Sequence, residues 1–525
     1  MIVSNPETSL SPSGESFPLP VKADYNNELK RLEELVKQAR SANKEIVVVM
    51  GLGFVGAVMA AIVADTKDVA GKNSKFVIGC QRPSPRSFWK IPLINRGEAP
   101  VKAEDPEVDI LIKRCVMDDK TLMATYNSDC LQFADCVVVD VQCDFAKKEL
   151  GNMRSGEAGM AAFEDTMRTI GEKIKPSFLV LIETTVAPGT TECVAWPILK
   201  KEFVRRQVAD LPLLAHSFER VMPGKQYVAS IRYFWRVCSG CEPIARARVE
   251  KFLHEVLNTK DFPLTVMDRP IESETTKIVE NSYRATILAY LNEWSLFAER
   301  NGVDLIKVIN AIKMRPTHSN MIIPGPGIGG YYLPKDGGLG YWAYEHILGF
   351  EDGDMLFRIT PAAIEINDTR VLHVAELTRD ALRNMGRDIA GSKVLLCGAS
   401  YRQDVGDTRY SGSELVVRKL TEMSAEIRIH DPYVDHWYEL EEQDTYPSPG
   451  SSWKRFFRNQ EGLKQTVVEK DLELSMKGAE AVILTVPHKQ YLGLNPDNYG
   501  NMGRWTHRNY RRLWHLNRRS DSLLF

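Results

Sequence analysis

At 525 residues the chain is longer than the roughly 250–300 residues that one hydrophobic core usually serves, so two or three domains are expected. Apolar residues make up 44% and charged residues 26%, the balance of an ordinary globular protein, and 67 Lys and Arg against 69 Asp and Glu leave a net charge of -2. That balance supplies no global field for nucleic acid or a membrane surface, so ligands must be sought in local motifs.

Residues 1–24 are rich in serine, proline and glycine and poor in apolar residues, and are expected to form a disordered tail. A helix is predicted over Tyr25–Ser41, with Leu29, Leu32, Leu35 and Val36 on one face. Ile46–Met50 is a continuous apolar run, the pattern of a parallel strand buried on both faces. It leads into Gly51-Leu52-Gly53-Phe54-Val55-Gly56 and an alanine-rich helix, a dinucleotide-binding fingerprint in its required strand-turn-helix context. Gly51 allows the tight turn, Gly53 lets backbone reach a pyrophosphate beside Phe54 and Val55, and Gly56 lets the helix pack on the strand. The helix N-terminus then faces the phosphates. The 19 residues Ile46–Ala64 carry no charge, which hydropathy alone would accept as a membrane span. The glycine punctuation and polar flanks favour a buried strand and helix instead.

The next strand, Lys75–Gly79, should close with an acid that binds the adenosine ribose 2′-OH of NAD. Cys80-Gln81-Arg82 stands there, which makes Gln81 and Arg82 the candidate ribose contacts and leaves NADP open beside NAD. Further buried strands are predicted at Cys136–Val141 and Phe178–Ile182. One long helix is predicted over 269–302, in which Lys277 and Asn281, four apart, share a face. Pro324-Gly325-Pro326-Gly327-Ile328-Gly329-Gly330 cannot be helix or central strand and reads as a loop shaped for close backbone approach, the usual setting of a site. Gly391–Gly398 opens a second strand-turn-helix unit, which Ile427–Pro432 and Ala479–Pro487 continue. Arg504, Arg508, Arg511, Arg512, Arg518 and Arg519, with Trp505 and Trp514 between them, read as a basic solvated tail. The nine cysteines, mostly within apolar runs, read as reduced thiols of a cytoplasmic protein. Cys238 and Cys241 have metal spacing, but no second pair or histidine accompanies them, and no metal is expected.

The segment from Gly327 to Asp336 resembles the active-site loop of the UDP-glucose, UDP-N-acetylmannosamine and GDP-mannose dehydrogenases. There Gly-Phe/Val-Gly-Gly-x-Cys-x-x-x-Asp supplies a cysteine nucleophile; here the cysteine position holds Tyr332. Glu183–Glu192 looks like the family's Ser-Thr-Val-Pro-Pro-Gly-Thr-Thr turn, and His216–Lys225 is similar to its Ser-Pro-Glu-Arg-Val-x-Pro-Gly segment. Lys277 to Tyr283 matches its central helix, and Tyr401–Ser411 is similar to Tyr-Lys-x-x-x-x-Asp-x-Arg-x-Ser of its nucleotide-diphosphate domain.

The resemblance implies an α/β protein with two doubly wound Rossmann-like domains joined by a long central helix. The expected divisions are a tail over 1–24, an NAD(P)-binding domain over 25–268, a central helix and dimerisation region over 269–302, a nucleotide-sugar-binding domain over 303–503, and a basic tail over 504–525. A homodimer or larger even oligomer is implied, with no nucleic-acid or membrane partner. By resemblance, Lys277, Asn281, Asp336, Tyr332, Glu219 and Thr185 form the catalytic set. Gly51, Gly53, Phe54, Val55, Gly56, Gln81, Arg82 and Thr185 hold NAD, or NADP. Glu219, Lys277, Asn281, Arg315, Gly329, Gly330, Tyr331, Lys335 and Arg409 hold the nucleotide sugar.

In that family two hydride transfers take a primary alcohol to an acid, the cysteine capturing the aldehyde as a thiohemiacetal whose oxidation yields a thioester. A phenol of pKa about 10 is mostly protonated at neutral pH and is a poor acyl carrier. The expectation is therefore hydride transfer from a sugar hydroxyl to NAD(P) without the second oxidation. The alternatives are a redox-neutral epimerase, a four-electron 6-dehydrogenase by another route, and a non-catalytic nucleotide-sugar-binding homologue.

Overall fold

A computed structural model of the protein describes residues 7–222, 224–441 and 453–494. The expected basic tail over 504–525 lies outside the described residues. The earliest described segment corrects the expectation of a disordered tail: β1 (Thr8–Leu10) and β2 (Ser16–Pro18) pair as an antiparallel hairpin, and the first helix begins at Lys22 rather than Tyr25. The hairpin is ordered because Ser9, fully buried, bonds through its hydroxyl to Pro85 O, an attachment that local composition does not announce.

The chain divides into two units. The first takes the residues up to Phe145, Ala158–Ile278 and Leu339–Gly353. Its sheet is built from β3 (Glu45–Met50), β4 (Lys75–Cys80), β5 (Leu122–Thr125), β6 (Cys136–Val139), β9 (Leu179–Ile182), β10 (Leu213–His216), β11 (Val237–Gly240) and β12 (Thr265–Val266). A separate two-stranded ribbon pairs β7 (Asp144–Ala146) with β8 (Glu157–Gly159). The large sheet runs β12-β11-β10-β9-β6-β3-β4-β5, parallel throughout except for β10 against β11.

The apolar runs follow from burial on both faces. Val47 and Val49 of β3 enter one core while Ile46, Val48 and Met50 enter the other, as period-two alternation requires. The helix Gly56–Ala64 is buried along its whole length, so the uncharged stretch Ile46–Ala64 is a strand and a core helix. Among the described residues no helix is long and apolar enough to cross a membrane. The chain leaves β3 for β4 and β5 and returns to β6 on the other side, so the C-terminal ends of β3 and β6 flank the topological switch point.

The second unit takes Ala146–Glu157, Val279–Gly338 and the residues from Asp354 on. Its parallel sheet runs β15 (Val468–Glu469), β14 (Glu426–His430), β13 (Lys393–Cys397), β16 (Ala481–Leu484). Val394 and Leu396 enter one core, and Leu395 and Cys397 the other. The central helix runs Pro270–Asn301 and contributes to both units, which part between Ile278 and Val279.

The division departs from the expected 25–268 and 303–503 because distant segments pack away from their sequence neighbours. Leu339–Gly353 joins the first unit, where Leu348 and Ile347 close over Gly189. Ala146–Glu157 joins the second, where Lys147 forms a buried ion pair with Asp368.

Candidate functional site

In the first unit the three glycines of the fingerprint are needed for three different reasons. Gly51 has φ +96, and a β-carbon there would lie 2.7 Å from Asp140 O. A β-carbon on Gly56 would lie 1.9 Å from Gly51 O. A β-carbon on Gly53 meets nothing within 4 Å, and its φ is not left-handed, so the protein itself makes no demand for glycine there. Phe54 stacks on Tyr227 at 4.7 Å between centroids, and the Tyr227 hydroxyl donates to Phe54 O, which fixes the loop. Val55 leads into the helix at Gly56, whose first turn no side chain caps.

Gln81 does not turn outward with its acceptor: its Oε1 accepts the Leu52 N–H at 2.8 Å and so braces the glycine turn. Arg82 beside it is exposed. Thr185, after β9, is buried, and its Oγ1 has no hydrogen-bond partner in the chain. An open Gly53, an uncapped helix start and an orphaned buried hydroxyl fit a bound dinucleotide.

Sequence reasoning missed the polar cluster beneath this turn. Asp140, directly after β6, and Glu183, directly after β9, are buried carboxyls, and Arg236 pairs with Glu183 while donating to Ser217 O at 3.5 Å. Burial, reinforced by the neighbouring Glu183 and Glu219 charges, holds the Asp140 pKa well above the usual carboxylate range. Burial also raises the Glu183 pKa, against the pull of Arg236. The available signal was a carboxylate ending the apolar run Cys136–Val139. Lys277 is buried and donates to Glu219 O at 2.8 Å, with its ammonium 3.4 Å from Glu219 Oε1 and over the Phe218 ring at 5.4 Å. The structure thus joins Lys277 to Glu219. Among the described residues no group of three or more His, Cys, Asp or Glu side chains is arranged to hold a metal ion.

In the second unit Asp336 is fully buried and its carboxylate is held on both oxygens, by Asn281 Nδ2 at 2.7 Å and by Lys335 Nζ at 3.1 Å. Lys335 is equally buried and lies over the Tyr331 ring at 4.4 Å. Gly329 and Gly330 likewise serve the protein: a β-carbon on Gly329 would lie 2.5 Å from Tyr401 Cβ, and Gly330, at φ +88, donates to Arg409 O at 3.0 Å. Arg409 forks onto Asp407, Nε to Oδ1 at 2.9 Å and Nη2 to Oδ2 at 2.6 Å, and stands over Tyr331 at 5.3 Å.

Tyr332 is half-buried, edge-on to Tyr331 at 5.5 Å, and its carbonyl accepts the Asp336 N–H at 2.9 Å. Arg315 is exposed, with no hydrogen bond from its guanidinium among the described residues. Lys147, unsignalled by its polar neighbourhood, donates to Pro334 O at 3.2 Å, pairs with Asp368 and anchors the turn that carries Lys335 and Asp336.

Three domain models of the UDP-glucose/GDP-mannose dehydrogenase family match the chain: the NAD binding domain over residues 45–255, the central domain over 271–369 and the UDP binding domain over 395–510. The UDP-N-acetyl-D-mannosamine dehydrogenase of Pyrococcus horikoshii is 26% identical over 457 residues, covering 86% of this chain and 92% of that protein. Among solved structures, the NDP-N-acetyl-D-galactosaminuronic acid dehydrogenase of Methanosarcina mazei Go1 superposes with a TM-score of 0.68 at 28% identity, covering 90% of this chain and 91% of that one. The UDP-D-ManNAc dehydrogenase of Pyrococcus horikoshii superposes at 0.69 and 24% identity, covering 87% and 93%, a likeness of fold.

Proposed function

The chain belongs to the UDP-glucose/GDP-mannose dehydrogenase family, and from that premise we propose that this NAD-dependent oxidoreductase takes a nucleotide sugar through one two-electron oxidation of a CH–OH group. The observation that carries the proposal is Tyr332 on the loop that holds Asp336, at the position where the resemblance calls for cysteine. A phenol neither captures an aldehyde durably nor releases an acyl group as a thiol does, so the second oxidation has no covalent carrier.

NAD, when bound, supplies the hydride acceptor. The glycine turn, the Gly56 helix start and Thr185 hold it. By the resemblance, Asp336, met in the second unit by Asn281 and Lys335, takes the hydroxyl proton, and Lys277, which in the first unit donates to Glu219 O, stabilises developing negative charge on oxygen. Asn281 fixes the Asp336 carboxylate through its amide. Arg409, already forked onto Asp407, shapes the Tyr331 loop for the substrate diphosphate.

A second copy of the chain is the proposed partner. Tyr283, Tyr290, Trp294 and Phe297 leave 60%, 55%, 43% and 53% of their surfaces exposed on the central helix, a large aromatic stripe for a protein to leave in water.

Product analysis tests the function. One reduced cofactor per sugar, with a carbonyl product, is expected. Two reduced cofactors per sugar together with a uronic acid would refute the two-electron reading.

A further inference from the structure

The end of β4 that braces the glycine turn also bears on which dinucleotide the turn accepts. A carboxylate in this position binds the ribose 2′-OH and repels a 2′-phosphate. Gln81 occupies the position, with its amide oxygen spent on Leu52 N–H. From Gln81 to Trp89 the chain contains no acid and two arginines, Arg82 and Arg86. Arg82 is exposed, and its guanidinium has no ion pair among the described residues. The helix Lys22–Ser41 does bring Glu28 to the end of β5, where Thr125 donates to it, but both its oxygens lie on the Arg31 fork at 2.8 Å.

The loop after β4 is a built structure. Ser87 Oγ donates to Arg82 O at 2.8 Å, and Phe88 N–H donates to Ser84 O at 3.0 Å. From outside, buried Ser9 of the N-terminal hairpin donates its hydroxyl to Pro85 O at 2.7 Å and accepts the Trp89 N–H at 3.1 Å. Arg96 forks onto Glu15 at 2.7 and 2.9 Å and ties down the hairpin's other strand end.

We infer that Arg82, on a loop locked by the N-terminal hairpin, forms a 2′-phosphate subsite that adds affinity for a 2′-phosphorylated dinucleotide, while the protein still takes NAD. The inference rests on the reading of the glycine turn as a dinucleotide site. Guanidinium matches phosphate oxygens in pairs, and Arg82 follows directly on the residue that braces the turn.

Calorimetric titration of the full chain with 5′-ADP and 2′,5′-ADP tests it without turnover. The wild-type protein should bind 2′,5′-ADP about 5-fold or more tightly than 5′-ADP at low salt, the size of a partly screened charge pair. Arg82→Ala should remove that preference, and Ser9→Ala, which releases the loop, should reduce it. Equal binding of the two probes by the wild-type chain, or a preference that survives Arg82→Ala, overturns the inference. Failure of both probes to bind overturns the dinucleotide reading beneath it, and 5′-ADP distinguishes the two failures.

Discussion

Alanine at each fingerprint glycine separates what the fold needs from what the cofactor needs. At Gly53 the new methyl meets nothing within 4 Å and the backbone is not left-handed, so the folded state loses nothing. The unfolded chain loses freedom, which stabilises by about 0.4–1 kcal/mol at a compatible site. At Gly56 the methyl would sit 1.9 Å from Gly51 O, and the helix or the turn must shift, an overpacking penalty of about 1–3 kcal/mol or more. At Gly51, φ +96 adds about 1–2 kcal/mol of left-handed strain to a 2.7 Å approach to Asp140 O. Urea unfolding and NAD titration on the three variants measure both quantities. Gly53→Ala should keep or slightly gain stability yet bind NAD about 10- to 100-fold more weakly, the loss of one hydrogen bond to a charged group. A Gly53→Ala protein with wild-type NAD affinity, or one as destabilised as Gly56→Ala, would refute the assignment of that open side to the pyrophosphate.

Lys277→Met should lower kcat about 10²- to 10⁴-fold while NAD binding persists, because a positioned donor is lost from the chemistry; an unchanged kcat removes Lys277 from the reaction. The Asp140 carboxyl has its folded pKa raised above the unfolded value, so its stabilising contribution is full at acid pH and is lost as pH rises through the folded pKa. Asp140→Asn does not titrate, and its stability relative to wild type should climb by up to about 1.4 kcal/mol per pH unit across that window; parallel stability curves would show that Asp140 is ionised in the fold. If the proposed pairing of two copies holds, the wild-type chain should sediment as a dimer and Trp294→Lys combined with Phe297→Lys as a monomer; a wild-type monomer, or a sedimentation coefficient unchanged by the two substitutions, would refute an interface on this stripe.

The sequence by itself determined the features whose physics is local. A valine-rich run entering Gly51-Leu52-Gly53-Phe54-Val55-Gly56 is a strand, a turn and a helix because each residue's backbone preference and burial agree, and the central helix was legible within a residue at each end. Lys277 and Asp336, singled out by spacing and motif, lie buried in polar clusters. Partners far apart in sequence were decided only by tertiary structure. Ser9 meets Pro85 across 76 residues and orders a hairpin that composition reads as a tail, and Lys147 meets Asp368 across 221 residues and carries its segment into the second unit. The same holds for the partners that polar side chains and glycines take within each unit. Gln81 turns to Leu52, Arg409 to Asp407, and Gly329 to Tyr401, because a buried polar group takes whatever partner the fold brings within reach, and a glycine is kept wherever another part of the chain comes too close for a side chain.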